Sequence, residues 1–406
     1  MTSQIAIMNY DGVAIASDTI TSLKSSRGTK TIGNASKIWD IGPKHSVVVL
    51  HSGSTVINSI SHRMHFTEWA KSLEAPLPTL KQYVDSYYAF CSHAHHLISF
   101  DDEKKFAENC IQSMLANIKD YIDQALPHWN AERETWTSVG EDEFEIARNR
   151  YTEFIAMYEK VGEFPKFNDD QARKLITNYN FDLDSIIEEI FLEYPIDEEL
   201  RKAIKETCFL ALSRRDTSVC LTSQLAFVGY GSNEPYAGNI RCDYRGIYGG
   251  HMQCTEEDYK ALSPDVSSRI ATFGQDEAIW GFVRGVRWSV LEFIDKRIKE
   301  WLSEESGLPS EQISKLTENL EEIVSRDSNR WIFNNFTSPL LSSIEGMSAI
   351  GLGELAESLV GIQSTSTYAE EGTATVGGTI EVATIDRRNG VVWRKRIDNS
   401  NNQTSI

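Results

Sequence analysis

Three residues near the start of the chain, Thr2, Asp18 and Lys37, carry the groups that nucleophilic acyl chemistry requires. Thr2 follows Met1, and a small residue in that position permits removal of the initiator methionine. What remains is a free α-amine on Thr2, with a reference pKa of about 8. That value is far closer to neutrality than a lysine's, so the amine can act as base for the hydroxyl of its own residue. Taken alone, Thr2 reads merely as the first residue of an edge strand. Asp18 changes the reading. It ends the segment Gly12-Val-Ala-Ile-Ala-Ser17, and a hairpin turn at Asp11-Gly12 returns that segment beside the first strand, bringing the carboxylate close to Thr2. Lys37 opens the next apolar run and reaches the same place. A buried lysine held by an aspartate supplies a fixed positive charge that lowers the pKa of hydroxyl and amine alike. The plainer alternative for this pair is an ordinary salt bridge at a core edge.

These residues need strands to position them. Ile5, Ile7, Val13 and Ile15 alternate on either side of Asp11-Gly12, which predicts a paired hairpin. Lys37–Ile41 and Ser46–Leu50 predict a second pair about the turn Gly42–His45, and the unbroken run Val47-Val-Val-Leu50 fits a strand covered on both faces. The polar stretch from Thr19 to Ser36 reads as a loop. From 54 to 215 the spacing becomes helical, with Phe106, Cys110, Met114, Ile118 and Ile122 along one stripe. The charged middle of that stretch, 130–184, reads as an insertion facing solvent. Gln224–Gly231 and Ala237–Ile247 predict a middle hairpin. A second helical segment over 275–325 carries Trp280, Val283, Val286, Trp288, Leu291, Phe293 and Ile294, apolar enough for a central helix, with Ser310 capping another. A helix over 348–364 and a closing hairpin, 375–383 and 390–397, complete the chain. This ordering of strands and helices is α+β, and it suits two sheets packed between helical layers.

Composition narrows the function classes. The chain has 406 residues, 41% of them hydrophobic, enough for one large core or two modest ones. Its formal net charge of −19 repels phosphate backbones, so nucleic-acid binding is not expected. No run approaches the roughly 20 apolar residues that span a bilayer. The N-terminus lacks a basic region of the signal-peptide kind, which leads to the expectation of a soluble, cytoplasmic protein without membrane partners. Cys91, Cys110, Cys208, Cys220, Cys242 and Cys254 lie without paired spacing and read as reduced thiols. Cys91 and His95 fall one helical turn apart, but zinc needs two further ligands; the segment reads as a polar helix face, and no metal or cofactor is expected.

The early trio arrives within a pattern. Thr2-Ser-Gln-Ile-Ala-Ile7, Asp11-Gly-Val-Ala-Ile-Ala-Ser-Asp18, Ser36-Lys-Ile-Trp-Asp-Ile41 and Val47-Val-Val-Leu-His-Ser-Gly53 together resemble a proteasome β-type subunit and its bacterial relatives, the heat-shock peptidase ring and the Anbu type. The resemblance extends to Phe227–Gly231 with Asn239–Gly246, to Ile270–Gly281 as the loop entering a third helix, and to Leu355–Leu359 with Thr375–Thr384. It implies a four-layer αββα sandwich of the N-terminal-nucleophile (Ntn) hydrolase type. Thr2 then matches the nucleophile, Asp18 the carboxylate after the second strand, and Lys37 the lysine opening the third. Gly53, or Ser52 by a slip of one residue, matches the backbone donor to the oxyanion, and His51 lines the pocket for the side chain preceding the cut. The sequence departs where the family usually places a serine before the third helix and an Asp–Ser pair before the final glycines. Here those stretches read Gly274-Gln275 and Thr373-Ala-Thr-Val376, with Glu370, Glu371, Thr373 and Thr375 as possible substitutes.

The expectation is therefore a single Ntn-hydrolase domain over 1–406, with a helical segment at 56–215 that contains a large insertion and a second helical insertion at 283–345. Its activity would be peptide-bond cleavage by Thr2. A catalytically silent structural subunit and a small-molecule amidase are the alternatives. Family members usually assemble, so a homo-oligomer, ring or stacked, is expected, acting on peptide or unfolded protein with an unfoldase as possible partner.

Overall fold

The turn at Asp11-Gly12 joins two strands in which every residue is buried, β1 (Ser3–Asn9) and β2 (Gly12–Ser17). Asn9 shapes it: its Oδ1 accepts the amides of Asp11 at 3.0 Å and Gly12 at 3.2 Å, the local bonding that suits asparagine to turns. The computed structural model describes residues 2–397 except 26–27, 34, 94–95, 126–140, 192–195, 217–221, 257–258, 305–308, 310–311, 313–314, 317–325 and 372–374; at 22–25, 28–30, 32, 141 and 371 it describes the backbone alone. It is a mixed α/β structure built on antiparallel sheets.

One sheet runs β13 (Ser268–Gly274), β1, β2, β14 (Glu381–Asp386), β15 (Gly390–Lys395). The other runs β11 (His251–Glu256), β10 (Gly238–Tyr248), β9 (Ser223–Gly229), β6 (Val47–Gly53), β5 (Ile38–Asp40), with β12 (Lys260–Ala261) paired to β10. Successive side chains of a strand point to opposite faces, and the core follows that alternation. Ala6, Met8, Val13 and Ile15 of the first sheet share one apolar cluster with Ile38, Val48, Leu50, Ala226 and Val228 of the second. Their neighbours Ile5, Ile7, Ala14 and Ala16 pack instead against α9 (Glu277–Arg284), α11 (Ser338–Glu345) and α12 (Ala349–Glu371). On the second sheet, Val47, Val49, Leu225 and Phe227 pack against α1 (His62–Ser72) and α2 (Leu80–His93). Apolar residues on both faces thus explain the unbroken apolar run of β6, and show that β1 and β2, read from their alternating positions, are covered on both faces as well.

Several expectations need correcting. Residues 19–36 contain a hairpin, β3 (Thr21–Ser25) with β4 (Gly28–Ile32), where the threonines favour extended backbone without an apolar face to announce it. Another short hairpin, β7 (Val56–Ile57) with β8 (Ile60–Ser61), precedes the first helix. The charged stretch read as solvent-facing builds a core of its own. Tyr151, Ile155 and Tyr158 of α4 (Glu141–Tyr158), Tyr179 of α5 (Asp169–Tyr179) and Ile186 and Ile187 of α6 (Leu183–Ile190) join the apolar stripe of α3 (Phe100–Asp123) in one buried cluster that reaches Tyr248. Two further helices, α7 (Glu198–Thr207) and α8 (Leu210–Ser213), add Ile204 and Leu212 to it. The helix read as central, α10 (Trp288–Glu304), has no buried residue; Phe293 is 64% exposed. Apolar periodicity marks a face without saying what covers it. Residues 270–274, read as a loop, are strand β13 on the free edge of β1. The closing hairpin begins at Glu381, not Thr375. Ser310 lies outside the described residues. Among the described residues no helix is long and apolar enough to cross a membrane. The cysteines other than Cys220, which lies outside the described residues, are free thiols.

Candidate functional site

Asp18, just after β2, is fully buried, and each of its oxygens has a partner. Oδ1 accepts the Ser3 amide at 2.9 Å and the Lys37 ammonium at 2.7 Å, while Oδ2 accepts the Gly377 amide at 3.2 Å. The hairpin explains the first contact. The Asp18 amide in turn donates to the Ser3 carbonyl at 3.1 Å, extending the β1–β2 ladder by one rung. Lys37, 6% exposed and adjoining β5, donates also to the Ile20 carbonyl at 2.6 Å. Burial pushes the Lys37 pKa down, and the charge and hydrogen bond of Asp18 oppose that shift. A buried ion pair persists when further hydrogen bonds satisfy both groups, as they do here.

Thr2 is clamped from the other side. Its carbonyl accepts the Gln275 amide at 2.7 Å, and Gly274 ends β13 with φ +77°. A Cβ on Gly274 would lie 2.2 Å from the Thr2 carbonyl oxygen, so only glycine lets the two backbones come this close. Gln4 is a third brace. Its buried Nε2 lies within bonding distance of Ser17 Oγ (3.2 Å), the Lys37 carbonyl (3.3 Å) and the His51 carbonyl (3.1 Å), joining β1, β2 and β6 around the site.

A cavity of about 470 Å³ opens beside these groups, lined by Thr2, Lys37, His51, Ser52, Gly53, Gly274 and Gln275 among others. The structure thus gathers Thr2, Lys37, His51, Ser52 and Gly53 on one surface, with Asp18 buried behind Lys37. His51 stacks on Trp39, with ring centroids 4.7 Å apart and planes 12° from parallel. Its Nε2 lies 2.8 Å from the Ser54 carbonyl, a contact in which the ring nitrogen donates. Burial pushes the His51 pKa down to about 4, against the hydrogen bond to Ser54 and with help from the Lys37 charge. The ring is therefore neutral at pH 7. Gly53 ends β6 at φ +88°, and a Cβ there would lie 2.4 Å from the Thr222 carbonyl oxygen, so the bend that brings its backbone to the cavity rim needs glycine.

Other candidates fall elsewhere. Glu370 is engaged by Arg287 and by Ser366, at 2.8 Å from the latter, and does not line the cavity. Thr375 is buried but is not in the lining either. Thr373 and the side chain of Glu371 lie outside the described residues, as does His95. Among the described residues no cluster of three or more His, Cys, Asp or Glu side chains is placed to hold a metal ion. Sequence reasoning assigned no role to Gln4 or Gly377, and noted Gly274 only as a departure from the family pattern. Gln4 left a trace, since an amide inside an apolar strand must find partners once buried. The roles of the two glycines had no local signal, because their contacts depend on segments far along the chain.

No family model matches the sequence, and no curated protein does. Among solved structures, an Anbu (Gly-1) mutant from Hyphomicrobium sp. strain MC1 matches with 9% sequence identity, over 98% of this chain and 88% of that chain, at a TM-score of 0.30. A likeness that slight carries no argument about this chain.

Proposed function

We propose that this chain is a threonine-type Ntn hydrolase that cleaves amide bonds, with Thr2 as nucleophile once Met1 is removed. One observation carries the reading: a single buried carboxylate oxygen, Asp18 Oδ1, holds both the Ser3 amide at the chain's beginning and the Lys37 ammonium, while Thr2 and Lys37 line one cavity. The fold we infer is the four-layer αββα sandwich of the proteasome β type. It is supported by the cluster between the sheets and by the helices against their outer faces.

In this mechanism Thr2 Oγ attacks the amide carbonyl carbon, and the Thr2 amine takes the hydroxyl proton and passes it to the departing nitrogen. The C–N bond breaks, leaving an ester on Thr2. Water, deprotonated by the same amine, then releases the acid and restores the hydroxyl. The Lys37 cation, fixed by Asp18, lowers the pKa of both groups of Thr2. The Gly53 amide stabilises the oxyanion, a contribution of about 10²–10³ in rate for one such donor. His51 and Ser52 shape the pocket that receives the acyl side. The reading also carries a homo-oligomer, which sedimentation of the purified chain measures directly.

The test is a panel of fluorogenic peptide amides and a β-lactone probe, run on the wild type, Thr2→Ala and Thr2→Ser. We expect the lactone to acylate Thr2, and Thr2→Ala to lose hydrolysis by at least about 10³-fold. Labelling of Thr2 without cleavage of any peptide points to a small-molecule amide as substrate. Hydrolysis undiminished in Thr2→Ala refutes the reading.

A further inference from the structure

The chain carries a net charge of −19, yet the cavity beside Thr2 is lined by two cations, Lys37 and Arg63, and by no acidic residue. The two cations are in different situations. Lys37 is tied to Asp18. Arg63 lies exposed in the first turn of α1; its carbonyl accepts the Thr67 hydroxyl at 2.7 Å, while its guanidinium forms no hydrogen bond or ion pair among the described residues. The rest of the rim is rich in donors. Ser52 is 8% exposed, lines the cavity, and its hydroxyl has no partner among the described residues. Ser61, the N-cap of α1, also lines it; its side chain makes no capping bond, and the first turn of the helix holds no acidic residue to occupy that positive end. An unengaged guanidinium, an unengaged hydroxyl and a helix start that lacks a side-chain cap, its first amide held by the Thr55 carbonyl at 3.0 Å, border one volume, and all three offer donors. Their shared complement is a carboxylate, which a guanidinium grips through two parallel N–H···O bonds.

From this convergence we propose that the cavity selects an acyl group bearing a carboxylate, so that the preferred scissile amide follows an acidic residue. The inference rests on the hydrolase reading for its chemistry but not for its binding. Arg63 and Ser61 meet the carboxylate, Ser52 adds a hydroxyl donor, and the Trp39–His51 stack forms an uncharged wall along the methylenes. Lys37 adds little to this selection, because its ammonium is already committed to Asp18 and the Ile20 carbonyl.

The test has two arms. In the first, kcat/KM is compared for amides differing only at the residue before the cut, glutamate against glutamine, each as an N-acetylated single residue and within a tetrapeptide. We expect glutamate to be favoured by about tenfold or more at low salt, the size of a charge-assisted hydrogen bond. Arg63→Ala should bring the two within about twofold, and Arg63→Glu should invert the order. Preference in both formats assigns the carboxylate site to the cavity alone; preference in the tetrapeptide alone shows that an extended chain must hold it there. Equal rates for glutamate and glutamine, or a preference that survives Arg63→Ala, overturn the proposal. In the second arm, N-acetylglutamate and N-acetylglutamine are titrated into Thr2→Ala by calorimetry or NMR. Tighter binding of the glutamate that vanishes with Arg63→Ala supports the carboxylate site even if no amide is hydrolysed. Indistinguishable binding of the two overturns it even if Thr2 proves to be the nucleophile.

Discussion

The Lys37 ammonium lies 2.7 Å from Asp18 Oδ1, with the carboxylate fully buried and the lysine side chain 7% exposed. Removing one partner of such a pair leaves the other charged in a site with little water, a loss of about 3–5 kcal/mol in stability. Asp18 keeps its bonds from Ser3 and Gly377, which places Lys37→Met at the low end of that range. Denaturant unfolding of Lys37→Met, Asp18→Asn and the double variant reads this directly. The double variant should cost less than the sum of the singles, because no unpaired charge remains. Activity in Lys37→Met should fall by about 10²-fold or more through kcat. Strict additivity of the two stability losses would show that the ions do not act as a pair.

A second prediction concerns the clamp on Thr2. Gly274→Ala would set a methyl 2.2 Å from the Thr2 carbonyl oxygen at a backbone φ of +77°, so either β13 or the start of β1 must move. Strain of this kind costs about 1–3 kcal/mol. We expect the melting temperature to drop and kcat to fall further than KM rises, since the displaced atom belongs to the proposed nucleophile's own residue. A variant with normal melting and normal kcat would show that the clamp positions nothing.

Only part of this arrangement was legible in the sequence. The β1–β2 hairpin and the place of Asp18 follow from local spacing about Asp11-Gly12, and Lys37 adjoins β5, just beyond the β3–β4 hairpin. The Gly274–Gln275 clamp is contributed by a strand some 270 residues away, and the Gly377 amide by the approach to β14; no local pattern encodes such pairings. The helices of 141–213 were legible as helices, but not the core they share with α3, because its buried tyrosines and isoleucines are spread among many charged residues. For α10 the stripe was clear and its burial was not, since periodicity records a helix's two faces and not its neighbours.

The buried histidines predict an acid sensitivity. The His51 pKa is pushed down to about 4 by burial, while an unfolded histidine titrates near 6.5. Above pH 6.5 both states are neutral and the full stability is present. As pH falls from 6.5 towards 4 the unfolded state binds a proton that the folded state refuses, and stability is lost. For His51 alone this amounts to about 2 kcal/mol at pH 5. His51→Phe keeps a ring against Trp39 and removes the titrating group. Its stability should change less between pH 7 and pH 5 than the wild type's by about that amount, measured by urea unfolding at both values. An unchanged difference would place the acid sensitivity elsewhere.

The central claim is that the amine and hydroxyl of Thr2 act together beside Lys37, and the mass of the mature chain tests it most directly. Intact-protein mass spectrometry of the wild type, before and after reaction with the β-lactone, should show a polypeptide lacking Met1 that gains one adduct, mapped to Thr2. A chain that keeps Met1 in full, or an adduct mapped to any other residue, would contradict the account.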